Sequence, residues 1–216
     1  MSSIISQKRG GLALFSSPKH VDSHYLRLVC HAKGLEDLDF VEIDNEELHK
    51  ELLEINPNGK LPTLIDRDLT LYDARVIAEY VDERFPHPAL MPIEANLRAR
   101  IRLFFWEIEK HWYTPINTLE HSRITAQKKK PMQKELRDSI LRLNPYFKGQ
   151  QFLVGNELSL LDCCILPALW RLGALEIELP KAAQYMIRYM NTHFEKDYFR
   201  SSLSRYEQSL PPVTIV

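Results

Sequence analysis

At 216 residues the chain is long enough for one large domain or two modest ones, each with its own core. Its 44% hydrophobic and 26% charged residues are those of an ordinary globular protein, and 28 Lys and Arg against 29 Asp and Glu leave a net charge of −1. That balance speaks against a protein whose main work is gripping a phosphate backbone. The three cysteines, Cys30, Cys163 and Cys164, show neither a disulfide framework nor a zinc spacing and read as small buried hydrophobes in a reducing compartment. No long apolar core opens the chain and no stretch is an uninterrupted membrane span, so a cytoplasmic location with no membrane partner is expected.

In chain order, "LALF" (12–15) reads as a short buried strand. "DSHYLRLVCHAKG" follows as a helix with Tyr25, Leu26, Val29 and Cys30 on one face, Asp22 or Ser23 as its cap and Gly34 at its end. "DFVEID" alternates as a strand does, and "NEELHKELLEIN" is a short acidic-to-apolar helix. "KLPTLID" and "LTLYD" are two strands joined by the charged turn Asp66-Arg67-Asp68, and "ARVIAEYVDERF" places Ala74, Ile77, Tyr80 and Val81 at helical spacing. A strand, helix, strand opening implies a right-handed parallel unit, and the two closing strands must form an antiparallel hairpin. This β-α-β-α-β-β-α order is thioredoxin-like. Leu61-Pro62 falls where that fold holds a cis-proline, leaving the neighbouring backbone free to pair with a peptide-like ligand.

From residue 95 the periodicity is helical throughout. Leu97, Ile101, Phe104, Phe105, Ile108, Trp112 and Ile116 trace one long stripe, and "KPMQKELRDSILRLN" is a second helix after a basic run, "QKKKPM", read as a loop. "NELSLLDCCILPALWRLG" is apolar nearly all round and belongs in a core, with Ser159 and Asp162 as a capping pair. Two more helical stretches complete the half, and "SLPPVTIV" lacks any helical pattern. The expected organisation is a thioredoxin-like domain over 10–86, a linker over 87–94, an all-helical domain over 95–205 and a flexible tail over 206–216.

No stretch carries an independent catalytic constellation. There is no phosphate-cradling glycine loop and no GxSxG elbow. His20 and His24 lack a convergent third ligand and read as surface histidines rather than a metal site, and Glu107 and Glu109 point to different helix faces. "DERFPHPALMP" (82–92) is more specific. Its prolines stop the preceding helix and stiffen the connector, while Phe85 would plug an interface and His87 cap a helix end. The same prolines would equally present Pro86, His87 and Pro88 as a rigid knob with little entropy left to lose on binding. The residues alone favour the stiff connector, with the binding knob as the other reading.

A thioredoxin-like half, a connector and a helical bundle with a capped buried helix resemble the cytosolic glutathione transferases over roughly residues 12–205, most closely at "NPNGKLPTL" and "SLLD". Within that superfamily, "LFSSP", "NPNGKLPTLIDRDLTLYDARVIAEYVDERFPHPALMP", "IEKHWYTPIN" and "LWRL" resemble the stringent starvation protein A family. That family consists of bacterial proteins with the transferase fold that associate with RNA polymerase. Transferases place a thiol-activating hydroxyl or thiol near the end of the first strand. Here the tyrosine-type position is Leu14 or Phe15, neither a donor, and only Ser16, Ser17 or Ser23 remains as a serine-type candidate, with Ser16 and Ser17 retained. Transferases also hold the γ-glutamyl carboxylate of glutathione with an acidic residue followed by Ser or Thr, where this chain has Asp73-Ala74. The missing hydroxyl is worth about 1.5–3 kcal/mol, or about one to two powers of ten in affinity.

The resemblance therefore implies no catalysis, no cofactor, and a vestigial glutathione site at Leu61, Pro62, Asp73 and Ala74. It also implies a partner-binding pocket at Phe85, Pro86, His87 and Pro88. The expected function is transcription regulation under starvation or stress by a homodimer docked on RNA polymerase with its main sigma factor, without sequence-specific DNA binding of its own. A glutathione-dependent transferase, or an effector-binding relic of one, is the alternative.

Overall fold

The computed structural model describes residues 11–35, 38–121 and 123–216. It divides into two compact units, one ending at Ala89 and taking in Ser201–Gln208, the other made of Leu90–Arg200 and Ser209–Val216.

The first unit follows the order read from the sequence: β1 (Leu12–Ser16), α1 (Val21–Ala32), β2 (Asp39–Glu42), α2 (Glu46–Leu53), β3 (Thr63–Asp66), β4 (Leu69–Leu71) and α3 (Ala74–Arg84). The sheet order is β2-β1-β3-β4, with β1 and β2 parallel and the other two pairings antiparallel. Because side chains alternate along a strand, Ala13 and Phe15 point to one face, where they join Val41, Ile43, Leu52 and Ile65 in a core cluster. Leu14 and Leu64, also fully buried, take the other face, and α1 and α3 pack against each other and against β1 and β3 respectively. α1 begins at Val21 with His20 in the capping position and no side-chain cap, which corrects the expectation of Asp22 or Ser23. Ser23 instead accepts the Ser17 amide (3.0 Å), and Asp22 lies in the first turn, where its charge complements the helix dipole.

In the second unit the apolar stripe expected as one helix is interrupted. α4 (Ala95–Ile108) passes into a π-helical turn, Glu109–Tyr113, before α5 (Thr114–His121). Pro115 supplies the reason, since its ring would clash with the His111 carbonyl in a regular α-turn and it has no amide to donate. The Thr114 amide reaches the Glu109 carbonyl instead, and the Thr114 hydroxyl donates to the same oxygen at 2.9 Å. α6 (Ala126–Leu141) begins four residues earlier than expected and takes in the basic run read as a loop, with Pro131 inside the helix. α7 (Leu160–Trp170) is the core helix, buried from Leu160 to Leu169 and closed by the Ser159/Asp162 capping box. α8 (Gln184–Phe194) and the short α9 (Asp197–Arg200) follow.

The chain end departs most from expectation. Ser201–Gln208 belongs to the first unit and contains α10 (Arg205–Gln208), whose Glu207 is fully buried. The last residues are not a loose tail: Leu179 and Lys181 donate backbone bonds to Thr214 and Val216, and Val216 donates to Leu179. Gly173 lies so close to this strand-like end that a Cβ there would sit 2.1 Å from the Pro211 carbonyl oxygen.

Candidate functional site

Strand register places four of the sequence-marked positions at one edge of the sheet. Phe15 pairs with Thr63, so Ser16 and Pro62 lie one step beyond that pair on adjacent strands. Leu64 pairs with Leu71, so the chain leaves β4 at the same edge and reaches Asp73 and Ala74 at the start of α3. The Leu61–Pro62 peptide bond is cis. Around it Asn56 donates to the Lys60 carbonyl and to the Thr63 hydroxyl, at 3.1 and 2.9 Å, which ties the "NPNGKLPT" loop to β3.

The chemistry at this edge is already engaged. Arg27 donates to the Ser16 hydroxyl at 3.3 Å and to the Ser17 carbonyl at 3.0 Å, and the Ser17 hydroxyl accepts the Lys19 amide at 3.2 Å. Each hydroxyl keeps its own proton, but Ser16 is 3% exposed and Ser17 6%, so neither presents that proton to solvent. The Asp73 carboxylate caps α3 by accepting the Arg75 and Val76 amides at 3.0 and 3.1 Å, the donors that would otherwise be offered to an external anion. Ala74 adds no hydroxyl. His24, expected at the surface, is fully buried, bonded to Ser202 at 3.1 Å and 3.6 Å from the Glu207 carboxylate. No cluster with metal-ligand character occurs among the described residues.

Phe85, Pro86, His87 and Pro88 come at the other end of α3. Eleven residues of helix separate the two ends, a rise of about 16 Å at 1.5 Å per residue. Phe85 is half-buried with the Arg84 guanidinium 5.4 Å from its ring centroid, while Pro86, His87 and Pro88 are exposed. The His87–Pro88 peptide bond is also cis. Behind this loop lies a pair that the sequence gives no sign of. Lys33, at the end of α1, has a fully buried side chain whose ammonium donates to the Asp82 carboxylate at 2.7 Å and to the Pro88 carbonyl at 2.5 Å. In the sequence Lys33 marks only a helix end, and Asp82 sits among charged residues of an amphipathic helix.

Two surface cavities, about 450 and 310 Å³, flank α8 and share Arg188 and Thr192 in their walls. Neither is lined by any residue singled out in the sequence.

Comparison with known proteins matches residues 22–89 to the glutathione S-transferase N-terminal domain and residues 104–197 to its C-terminal domain. Among solved structures, a ternary complex of BphK, a bacterial GST, superposes with a TM-score of 0.79 at 20% identity, covering 91% of this chain and 99% of that one. A delta-class glutathione transferase from Nilaparvata lugens superposes with a TM-score of 0.77 at 19% identity, covering 91% and 97%. These likenesses establish the fold. A stringent starvation protein A homolog from Coxiella burnetii is 37% identical over 95% of this chain and 98% of its own length. One from Pasteurella multocida is 38% identical over 92% of each. On that similarity, carried across nearly the whole of both chains, the protein belongs to the stringent starvation protein A family and is built on the glutathione transferase fold.

Proposed function

We propose that this chain is a transcription regulator of the starvation or stress response. It docks, as a cytoplasmic homodimer, on RNA polymerase carrying its main sigma factor, and it conjugates no glutathione. One observation carries the reading: the exposed Pro86-His87-Pro88 loop stands at the far end of α3 from a transferase-type edge whose helix amides are taken by Asp73 and whose serine hydroxyls are buried. The relatives named stringent starvation protein A supply the starvation context. A net charge of −1 accords with contact to protein rather than direct, sequence-specific reading of DNA.

The test is a pull-down from stressed bacterial lysate with tagged wild type and the Pro86→Ala/His87→Ala/Pro88→Ala variant, with circular dichroism to establish that both are folded. Polymerase subunits recovered with wild type and lost with the variant support the proposal. Absence of polymerase from both overturns it, and equal recovery reduces the loop to a stiff connector. A second reading, an effector bound at the old glutathione edge, rests on the retained Asp73 and on Pro62 at the same edge. It would register as a ligand-dependent thermal shift without polymerase recovery.

A further inference from the structure

We propose that Lys33, held by Asp82, is the positioning residue of the Pro86–Pro88 loop: its buried ammonium grips the Pro88 carbonyl from within and so sets the surface the loop presents. The inference rests on the reading of that loop as a docking surface.

The loop has little means of holding itself. Two of its three residues are prolines and donate no amide, and no backbone–backbone hydrogen bond involves residues 86–89 among the described residues. The last such bond on the α3 side is from the Phe85 amide to Val81. What the segment does have is carbonyls, and Lys33 donates to that of Pro88. A bond from an ammonium is charge-assisted and stronger than a neutral one, so this contact fixes the loop more firmly than an ordinary turn bond would.

A lysine is an expensive choice for that place unless the charge is used. Lysine side chains are almost never fully buried without a partner, and an aliphatic residue would fill the same volume without desolvating a charge. Asp82, in the last turns of α3, supplies the countercharge and aims the ammonium. The pair thereby joins the end of α1 to α3 and leaves a further donor for the segment that follows α3. Removing Lys33 frees the Pro88 carbonyl while leaving all three exposed side chains in place. The expected result is a loop of unchanged composition that occupies several conformations instead of one.

The test compares wild type, Lys33→Met, Lys33→Arg and Glu207→Gln, the last breaking a different buried ion pair of the same unit. The readout is the His87 ring signals in NMR spectra of histidine-labelled protein, assigned by their loss in His87→Ala and recorded well below each unfolding temperature. Lys33→Met should shift or split the His87 signals and weaken polymerase capture at least tenfold. Lys33→Arg, which keeps charge and donors, should recover part of both, and Glu207→Gln should leave the His87 signals where they are. If Lys33→Met does not fold, the isosteric Asp82→Asn takes its place with the same expected displacement. Unchanged His87 signals overturn the proposal, as does a displaced loop that captures polymerase as well as wild type. Wild type that captures no polymerase overturns the docking function instead, and the His87 spectra still decide whether Lys33 sets the loop.

Discussion

Arg27 in α1 and Glu207 in α10 form a buried ion pair at 2.5 Å between positions 180 residues apart in the chain. The guanidinium also bonds the Ser202 carbonyl at 2.9 Å, and Ser204 donates to the Pro18 carbonyl at 2.7 Å, so Ser201–Gln208 is stitched onto the first unit by polar contacts. Breaking one partner of a buried pair leaves the other desolvated, at a cost of about 3–5 kcal/mol. Glu207→Gln keeps the shape and part of the hydrogen bonding, so its cost falls near the lower end. For a chain of this size that is a fall in Tm of about 6–12 °C, measurable by thermal denaturation. A change within about 1 °C would mean that the segment is not an integral part of the unit.

The sheet was legible because its apolar runs are short, alternate and are punctuated by turn residues, and because connection length dictates which strands are antiparallel. The Ser159/Asp162 cap was legible as a local spacing with a mechanism. The same logic applies to Ser204 and Glu207, whose amides and side chains bond reciprocally at 2.9 and 3.1 Å. That S-x-x-E signature is present in the sequence but sits in a short segment with no apolar periodicity to announce a helix. Pro115 likewise foretells the π-turn once the helix around it is known. Lys33 with Asp82 was not legible, since a contact across 49 residues depends on how α1 and α3 pack.

Ala74→Ser restores the hydroxyl of the transferase pattern beside Asp73 without disturbing the cap at Arg75 and Val76. Wild type should pass through glutathione resin unretained. The variant should gain about one to two powers of ten in affinity from one charge-assisted hydrogen bond, yet show no conjugation of a chromogenic electrophile. The two results separate binding from catalysis, because the Ser16 and Ser17 hydroxyls remain buried in either protein. Conjugation by wild type would restore the enzyme reading.

Gly173 tests whether the chain end is part of the second unit. A Cβ at this position would meet the Pro211 and Pro212 backbone at 2.1–2.5 Å, and backbone cannot swing aside as a side chain can. Gly173→Ala should therefore destabilise the full chain by about 1–3 kcal/mol. In a chain ending at Ser209 the clash partner is gone, and the same substitution should be close to neutral. Equal effects in both backgrounds would show that Gly173 acts through its own backbone rather than through residues 211–212.

Acid should weaken the fold through His193. Its Nε2 is 2.8 Å from the Gln151 carbonyl, which can only accept, so Nε2 carries the proton and Nδ1 accepts from the Tyr198 hydroxyl at 2.5 Å. The neutral ring satisfies both contacts, whereas the imidazolium would turn a second N–H toward Tyr198. Burial pushes the His193 pKa below its ordinary 6.5, with the Gln151 carbonyl and Asp162 opposing in part. His31, stacked on Phe40, is lowered in the same direction by burial and by Arg27. Unfolded chains therefore take up protons that the folded chain refuses as pH falls through about 6.5. The contribution of these groups is intact above that value and declines below it. Urea denaturation midpoints at pH 7.5, 6.5 and 5.5 should fall with acidification, and His193→Gln, though less stable at pH 7.5, should show a shallower fall. A midpoint that holds or rises on acidification, or a slope unchanged in His193→Gln, would mean that His193 is as protonated in the folded chain as in the unfolded one.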